Sequence, residues 1–532
     1  MKGNRNIFLP LFLGIACAVG IFIGAKLDFS SYAPPVDKKK QKLARLIDYI
    51  EYEYVDDVNT DSIVEITVNG ILNNLDPHSV YISQDEFSGV KESMQGDFVG
   101  IGVSFFNIND TIAVIQALEG SPGEQVGIRG GDRILYADGK PLFQRQVSND
   151  SLANHLKGAE NTEVSLKVYR KGEPELLDFK VRRGRVPLKS VDASYMLNPG
   201  LGYIKINRFA ESTYDEFNKA LQGLIQQGAS KLVLDLRNNP GGYLSEATKV
   251  VDEFLSDNQL ILITKNKNGV EEKTYSTSKG SFEDGEVFVL INENSASASE
   301  IIAGALQDND KGTIVGRRSY GKGLVQREMS LGDGSAVRLT IARYYTPTGR
   351  SIQKPYTNGP DAYFHDYLDR YANGELISED SIRIDDTLKF VTPGGKVVYG
   401  GGGIIPDVFI PKNTNSQKET LDFMLRSGFM DRFVFEVLER DRLYYSSLSE
   451  EEFKNEVLID DSIIKEFRDY TNNTAGIFPH HGFKMTFSDY QPLLKRYLKA
   501  IMAQQLYGSN VFEQIVNQDD PMLDKVMTLS AE

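Results

Sequence analysis

At 532 residues, 41% of them hydrophobic, the chain holds enough material for three or four domains with real cores. Its net charge of −15 offers no basic surface to a nucleic acid, so a DNA- or RNA-binding protein is set aside. A single cysteine, Cys17, leaves no intrachain disulfide framework.

Behind Lys2 and Arg5, residues 7–25 are uncharged and mostly apolar, a run long for a signal-peptide core and sufficient to span a bilayer. Residues 1–27 read as a membrane anchor or signal segment, and Gly24-Ala25 running straight into Lys26 with no convincing small-x-small cleavage site favours an uncleaved anchor. Gly14, three positions before Cys17, fits a lipidated cysteine poorly, and the apolar setting does not suit a catalytic thiol. The expected place of the remaining chain is outside the cytoplasm, in a bacterial periplasm, although Lys38, Lys39, Lys40 and Lys42 beyond the run pull against that orientation. Residues 28–94 begin with a linker over 28–37 that contains Pro34-Pro35. Two helical stripes follow: Leu43, Leu46, Ile47, Ile50 and Tyr54, then Val64, Val68, Ile71, Leu72 and Leu75. Both read first as ordinary core packing. His78 has no metal-like cluster in its sequence neighbourhood and reads as structural.

Residues 95–184 form a small β-rich module. Gly100-Ile101-Gly102-Val103 opens it, and a strand over 111–115 follows. Then come Gly120-Ser121-Pro122-Gly123, the turn Gly130-Gly131-Asp132, and the alternating run 163–169 that closes the module. The ordered series Gly-Ile-Gly-Val, Ser-Pro-Gly, Gly-Gly-Asp and Ala-Asp-Gly resembles a PDZ domain. The resemblance implies that a peptide adds as a strand while N–H groups of the loop Gly100, Ile101, Gly102 and Val103 receive its terminal carboxylate.

From Val186 the pattern turns α/β, and residues 185–412 read as one domain. A strand over 202–206 precedes a helix with Phe217, Leu221, Leu224 and Ile225 on one face, opened by the capping box Thr213-x-x-Glu216. A second apolar strand, 231–236, ends in Arg237-Asn238-Asn239-Pro240-Gly241-Gly242. Such a glycine pair lets the backbone approach a bound group closely, and equally makes a plain turn. Next, an apolar strand over 287–291 runs into Ser295-Ala296-Ser297-Ala298-Ser299-Glu300, with a helical composition over 299–307. Ser297 therefore falls at a strand-to-helix turn. There its oxygen projects from a sheet edge, and free helix N–H groups can stabilise developing negative charge. Lys322 follows in a glycine-flanked turn, and burial there would lower its pKa enough for it to serve as the base of a Ser/Lys pair without any histidine.

Two plainer readings compete with that pair. Ser297-x-x-Glu300 is also a capping box, whose hydroxyl would merely satisfy the helix start. Gly316-Arg-Arg-Ser-Tyr-Gly321-Lys322 matches the first seven positions of a phosphate-binding P-loop, but Gly323 lacks the magnesium-binding hydroxyl and 324–329 reads as strand.

A strand over 337–344 and the turn Gly402-Gly403-Ile404-Ile405-Pro406-Asp407 complete the domain. Between them, 355–386 is an acidic, aromatic-rich insertion with no evident function, and His365 sits in it without partners in the sequence. Residues 413–532 are helical and charged, with stripes such as Leu421, Met424, Leu425 and Leu493, Leu494, Leu498, and read as a separate docking or regulatory domain. Adjacent side chains such as His480-His481 point apart on any regular element, so a metal site is not expected there.

Ser-Ala-Ser-Ala-Ser-Glu-Ile, followed by Ala-Gly-Ala-Leu-Gln-Asp and by Gly-Lys-Gly-Leu-Val-Gln, resembles the carboxy-terminal processing peptidases, also called tail-specific proteases. The resemblance implies Ser297 as nucleophile, Lys322 as general base and Gln326 as the residue orienting the lysine. It assigns one oxyanion N–H to Ala298 and the other to Gly241 or Gly242, and Leu75-Asp76-Pro77-His78-Ser79 looks like the family's joining segment. It further implies a dimer formed through the N-terminal helices and no metal or other cofactor. The expected architecture is a mixed α/β serine peptidase core with an inserted PDZ domain, N-terminal helices and a C-terminal helical domain. The expected activity is cleavage of protein substrates with free C-termini, near those termini. The alternative is an inactive PDZ scaffold on a protease-like fold, against which the intact Ser297, Lys322 and Gln326 argue.

Overall fold

The computed structural model describes residues 14, 38–108, 111–143, 148–473 and 488–531. Apart from Gly14, the apolar run 7–25 with Cys17 lies outside the described residues, as do the linker 28–37 and His480-His481. Among the described residues no helix is long and apolar enough to cross a membrane. The chain divides into two compact units, residues 1–75 and 76–532.

The first unit presents the helices Lys38–Glu53 and Thr60–Leu72. Asn59 caps the second, its side chain accepting from Ser62 N–H at 3.1 Å, and Asp61 in the first turn complements the helix dipole. Leu72 is buried, whereas Leu46, Tyr49, Ile66 and Ile71 stay exposed.

The second unit is built on a six-stranded sheet. Val191–Asn198, Leu201–Ile206, Lys231–Asp235, Glu286–Ile291, Gly312–Gly316 and Val408–Phe409 lie side by side in that order, antiparallel in the first pair and parallel thereafter. Parallel strands covered on both faces need continuous apolar runs, and residues 287–291 are buried without exception. One face packs under the helices Thr213–Gln226, Leu244–Asp252 and Ala298–Asp308 through Phe217, Val250 and Ile302. The C-terminal helix Pro521–Ala531 covers the other, seating Met522, Leu523 and Val526 on Tyr203, Val233, Phe288 and Val315. A second sheet carries Val80–Ile82, Ala336–Tyr345, Leu260–Asn266 and Glu271–Tyr275, with Leu324–Ser330 also paired to Ala336–Tyr345.

The capping box predicted at Thr213 does not form. Thr213 Oγ1 accepts from Ala210 N–H at 2.8 Å, and Glu216 reaches out of the helix to Ser190 N–H and Val191 N–H at 2.7 and 3.0 Å. Glu216 Oε1 still accepts from Ser212 Oγ at the helix start at 2.7 Å, so the carboxylate bridges its own N-cap and the neighbouring backbone.

The β-rich module orders Val103–Ile108, Thr111–Ala117, Arg133–Ala137, Glu163–Tyr169 and Leu177–Arg182 in one antiparallel sheet with the helix Asn149–Leu156 beside it. A two-stranded ribbon, Asp97–Gly100 against Gly184–Pro187, joins it to the rest. Beyond Asn413 the helices Ser416–Arg426, Phe429–Arg440, Gln491–Tyr507 and Ser509–Val516 enclose their own core of Met430, Phe433, Leu498 and Ile501. These helices touch both neighbours. Phe435 is buried against Ile108 and Ala113 of the β-rich module, and Glu513 and Asp520 pair with Lys205 and Arg237 of the central sheet at 2.6 and 2.7 Å.

Candidate active site

The strand Glu286–Ile291 delivers the chain to a turn at the carboxyl edge of the parallel sheet, and the helix Ala298–Asp308 leaves it. Two of the three serines in that turn are tied up by backbone. Ser295 Oγ donates to Leu236 O at 2.8 Å and Ser299 Oγ to Asn239 O at 3.1 Å, and both residues are fully buried. Ser297 is only partly buried, and its backbone stands at φ 55° and ψ −112°. Such a conformation persists only where its surroundings impose it.

Glu300 and Tyr344 impose it. Glu300 Oε2 accepts from Ser297 N–H at 2.8 Å and from Lys322 N–H at 2.9 Å, while Oε1 accepts from Gly321 N–H at 2.7 Å and Ser319 Oγ at 2.5 Å. Tyr344 Oη lies 3.0 Å from the Ser297 carbonyl and 2.8 Å from that of Lys322. One carboxylate and one phenol thus hold residues 297 and 322 side by side. Ser297 and Glu300 have the capping-box arrangement, but Glu300 N–H already lies 2.9 Å from the Ser297 carbonyl, which leaves the hydroxyl available. Burial pushes the Glu300 carboxyl above its usual range against the pull of these hydrogen bonds.

Lys322 Nζ donates to Gln326 Oε1 at 2.8 Å, and Gln326 Nε2 donates to the His78 carbonyl at 2.6 Å. Burial, helped by Arg338 and opposed by Glu300 and Asp76, lowers the lysine from 10.5 to about 8. A substantial share of it is therefore a neutral amine near neutral to mildly alkaline pH. The turn leads into the strand Leu324–Ser330, so no helix N-terminus stands where a P-loop would hold phosphate.

The glycine pair meets the serine turn directly. A Cβ on Gly241 would lie 2.7 Å from Ser297 Cβ and 2.9 Å from Ala298 N, and its φ of 101° suits glycine alone. Gly241 N–H donates to Asn239 Oδ1 at 2.8 Å. Among the described residues no backbone acceptor takes the N–H of Gly242, and Ala298, first in its helix, has no intrahelical acceptor. Of the two glycines, Gly242 has the uncommitted donor.

In the β-rich module, Gly100 ends the ribbon strand, and Ile101 and Gly102 form the loop into Val103–Ile108. The Ile101 carbonyl accepts from Gly123 N–H at 2.6 Å and that of Gly102 from Ser121 Oγ at 2.9 Å, anchoring the loop from its carbonyl side. Val103–Ile108 is an edge strand of its sheet, and Leu152 and Leu156 of the nearby helix share a core with Ile101 and Val103. An unpaired strand edge with a loop at its head is the geometry a terminal peptide needs.

Among the described residues no group of three or more His, Cys, Asp or Glu side chains could hold a metal ion. His365 Nδ1 lies 2.6 Å from the Asp361 carbonyl of its own helix. His78, read from sequence as structural, lends its backbone carbonyl to Gln326 Nε2. Glu300 was visible only as a capping residue, and nothing local in the sequence marked Tyr344 or Gln353, whose Oε1 accepts from Gly323 N–H at 2.8 Å.

Residues 200–362 match the family model of Peptidase family S41, residues 99–181 that of the PDZ domain, and residues 420–508 a family of unknown function (DUF8443). A carboxy-terminal-processing protease of Bartonella bacilliformis is 34% identical over 345 residues, covering 63% of this chain and 78% of that protein. The carboxy-terminal processing protease CtpB of Bacillus subtilis is 33% identical over 323 residues, covering 60% of this chain and 66% of that protein. A probable CtpA-like serine protease of Staphylococcus aureus is 35% identical over 313 residues, covering 58% and 62%. The chain spans less than two thirds of the length of the latter two.

Proposed function

This chain belongs to peptidase family S41, the carboxy-terminal processing proteases, and is a serine-type peptidase with a PDZ domain; from that premise we propose that Ser297 and Lys322 carry its chemistry on protein tails. The neutral amine of Lys322 takes the proton of Ser297 Oγ as that oxygen attacks the scissile carbonyl. Ala298 N–H and Gly242 N–H hold the oxyanion, each donor contributing on the order of 3 kcal/mol. The lysine then returns the proton to the leaving amine, and water, deprotonated by the same lysine, releases the acyl-enzyme. The PDZ loop 100–103 binds the terminal carboxylate of the substrate, so cleavage falls near the C-terminus. The observation that carries this reading is the shared grip of Glu300 and Tyr344 on residues 297 and 322.

The test is cleavage of a disordered protein with an apolar C-terminus by the wild type, Ser297→Ala and Lys322→Ala. Each variant should lose roughly a thousandfold or more in kcat, and equal cleavage by all three would sink the pair. Activity of the wild type should rise with pH around a midpoint near 8, as the ammonium form of Lys322 is lost. An acid optimum contradicts the role of the lysine.

The run 7–25 serves in this reading as a membrane anchor, with the catalytic part outside the cytoplasm and the helices Lys38–Glu53 and Thr60–Leu72 pairing two copies. The exposed Leu46, Tyr49, Ile66 and Ile71 supply apolar surface for that pairing. Protease added to spheroplasts should degrade the chain beyond residue 30. Survival of the chain there, or a monomer by sedimentation, counts against the anchor's orientation or the dimer respectively.

A further inference from the structure

Resting on Lys322 as the base, we propose that His78 and Tyr363 are positioning residues for it, with the 355–386 insertion serving as the strut that holds them. The orientation of the Gln326 amide determines whether Lys322 can act as a base. A neutral amine has one lone pair, and an amide can meet it either with its oxygen, which accepts an N–H and leaves the lone pair free, or with its NH2, which donates to the lone pair and quenches the base. The His78 carbonyl decides between these. It takes Gln326 Nε2 at 2.6 Å, which turns Gln326 Oε1 toward Lys322 Nζ at 2.8 Å.

The His78 carbonyl is held from two sides. Asp76 Oδ1 accepts from His78 N–H and Ser79 N–H, both at 2.9 Å, and Asp76 Oδ2 accepts from Ser79 Oγ at 2.6 Å, which rigidifies the turn. The His78 ring is fixed by the insertion. Its Nε2 lies 2.7 Å from Tyr363 Oη, and its plane stands edge-on to Tyr363 with centroids 5.1 Å apart. Tyr363 is 2% exposed, on the helix Gly359–Ala372, and its hydroxyl also accepts from Gln353 Nε2 at 3.3 Å. Gln353 Oε1 in turn holds Gly323 N–H, next to the lysine. One phenol therefore braces the lysine turn on one side and the glutamine's acceptor on the other. Lys354 locks the phenol's ring in place: its Nζ stands 4.2 Å from the Tyr363 centroid and 4.0 Å from that of Tyr320, with Asp366 at 3.2 Å.

The charged and titratable groups facing Lys322 are Glu300, Arg338, Asp76 and His78, and Lys354 faces His78 in turn. Burial, then Lys322, holds the imidazole down to about 4, so it stays neutral beside the lysine and shields the amine from water.

Kinetics of the full chain with His78→Ala and Tyr363→Phe test this, beside Ser297→Ala and Lys322→Ala. For His78→Ala, kcat should fall roughly tenfold with KM little changed. The acid limb of the pH profile should move upward, because water reaching Lys322 restores its ammonium form. Tyr363→Phe, which keeps the ring over Lys354, should shift both quantities the same way by less. Should His78→Ala fail to fold by thermal melt, Tyr363→Phe decides alone. Wild-type kcat in both variants overturns the proposal, as does a lower kcat with an unmoved pH limb, which marks general loosening. Residual activity in Ser297→Ala or Lys322→Ala instead strikes the Ser/Lys reading itself.

Discussion

Ser297 keeps a positive φ because Glu300 and Tyr344 grip its peptide on both sides. Backbone of this kind costs about 1–3 kcal/mol, which the fold supplies in exchange for an oxygen aimed out of the turn. Glycine carries no Cβ to resist that conformation. Ser297→Gly is therefore expected to raise the thermal midpoint while abolishing cleavage, whereas Ser297→Ala abolishes cleavage with little gain in stability. Calorimetry on both variants checks this, and a lower midpoint for the glycine variant would show that the backbone is unstrained. Among the serines of the same run, residue type alone could not separate 295, 297 and 299. The separation comes from Leu236 O and Asn239 O, acceptors on another strand's turn, which engage the outer two.

At the scale of the element, the helix Ala298–Asp308 is buried along its whole length, so its apolar composition was a reliable guide to a core helix. The apolar runs 231–236 and 287–291 were equally legible, since strands covered on both faces have no polar side to show. Local capping signals served less well. Glu216 divides its carboxylate between Ser212 Oγ at its own helix start and the N–H groups of Ser190 and Val191, so a tertiary contact completes what spacing alone had assigned to Thr213. The insertion 355–386 is the clearest case of a segment noticed but not interpreted, and its helix Gly359–Ala372 emerged only in the structure. Its aromatic residues read as surplus until the fold laid Tyr363 against His78, 285 residues earlier in the chain.

At the scale of the molecule, the C-terminal helices link the PDZ domain to the catalytic sheet. Phe435 lies between the guanidinium groups of Arg133 and Arg442, 5.5 and 5.3 Å from its centroid, and Lys171 Nζ donates to the Glu439 carbonyl at 3.0 Å. On the other side Asp520 pairs with Arg237, at the head of the glycine loop. Without these contacts the ribbon Asp97–Gly100 with Gly184–Pro187 would be the PDZ domain's main tether. Phe435→Lys replaces the ring with a third cation beside Arg133 and Arg442, and the PDZ domain should then become susceptible to limited proteolysis at the ribbon while the central sheet stays intact. An unchanged digestion pattern would mean that the ribbon alone orients the domain.

What the chain's one-dimensional order determined was the inventory: apolar runs of the right period for each element, a PDZ series of turns, a serine at a strand-to-helix junction and a lysine between glycines. These are local properties, set by side-chain chemistry and spacing along a few turns of backbone. Which serine keeps a free hydroxyl, which glycine keeps a free N–H, and that His78 and Tyr363 stand behind the lysine were decided only by tertiary contact. Hydrogen-bond acceptors and buried charges act over about 3 Å in space, a distance that residue numbers do not record.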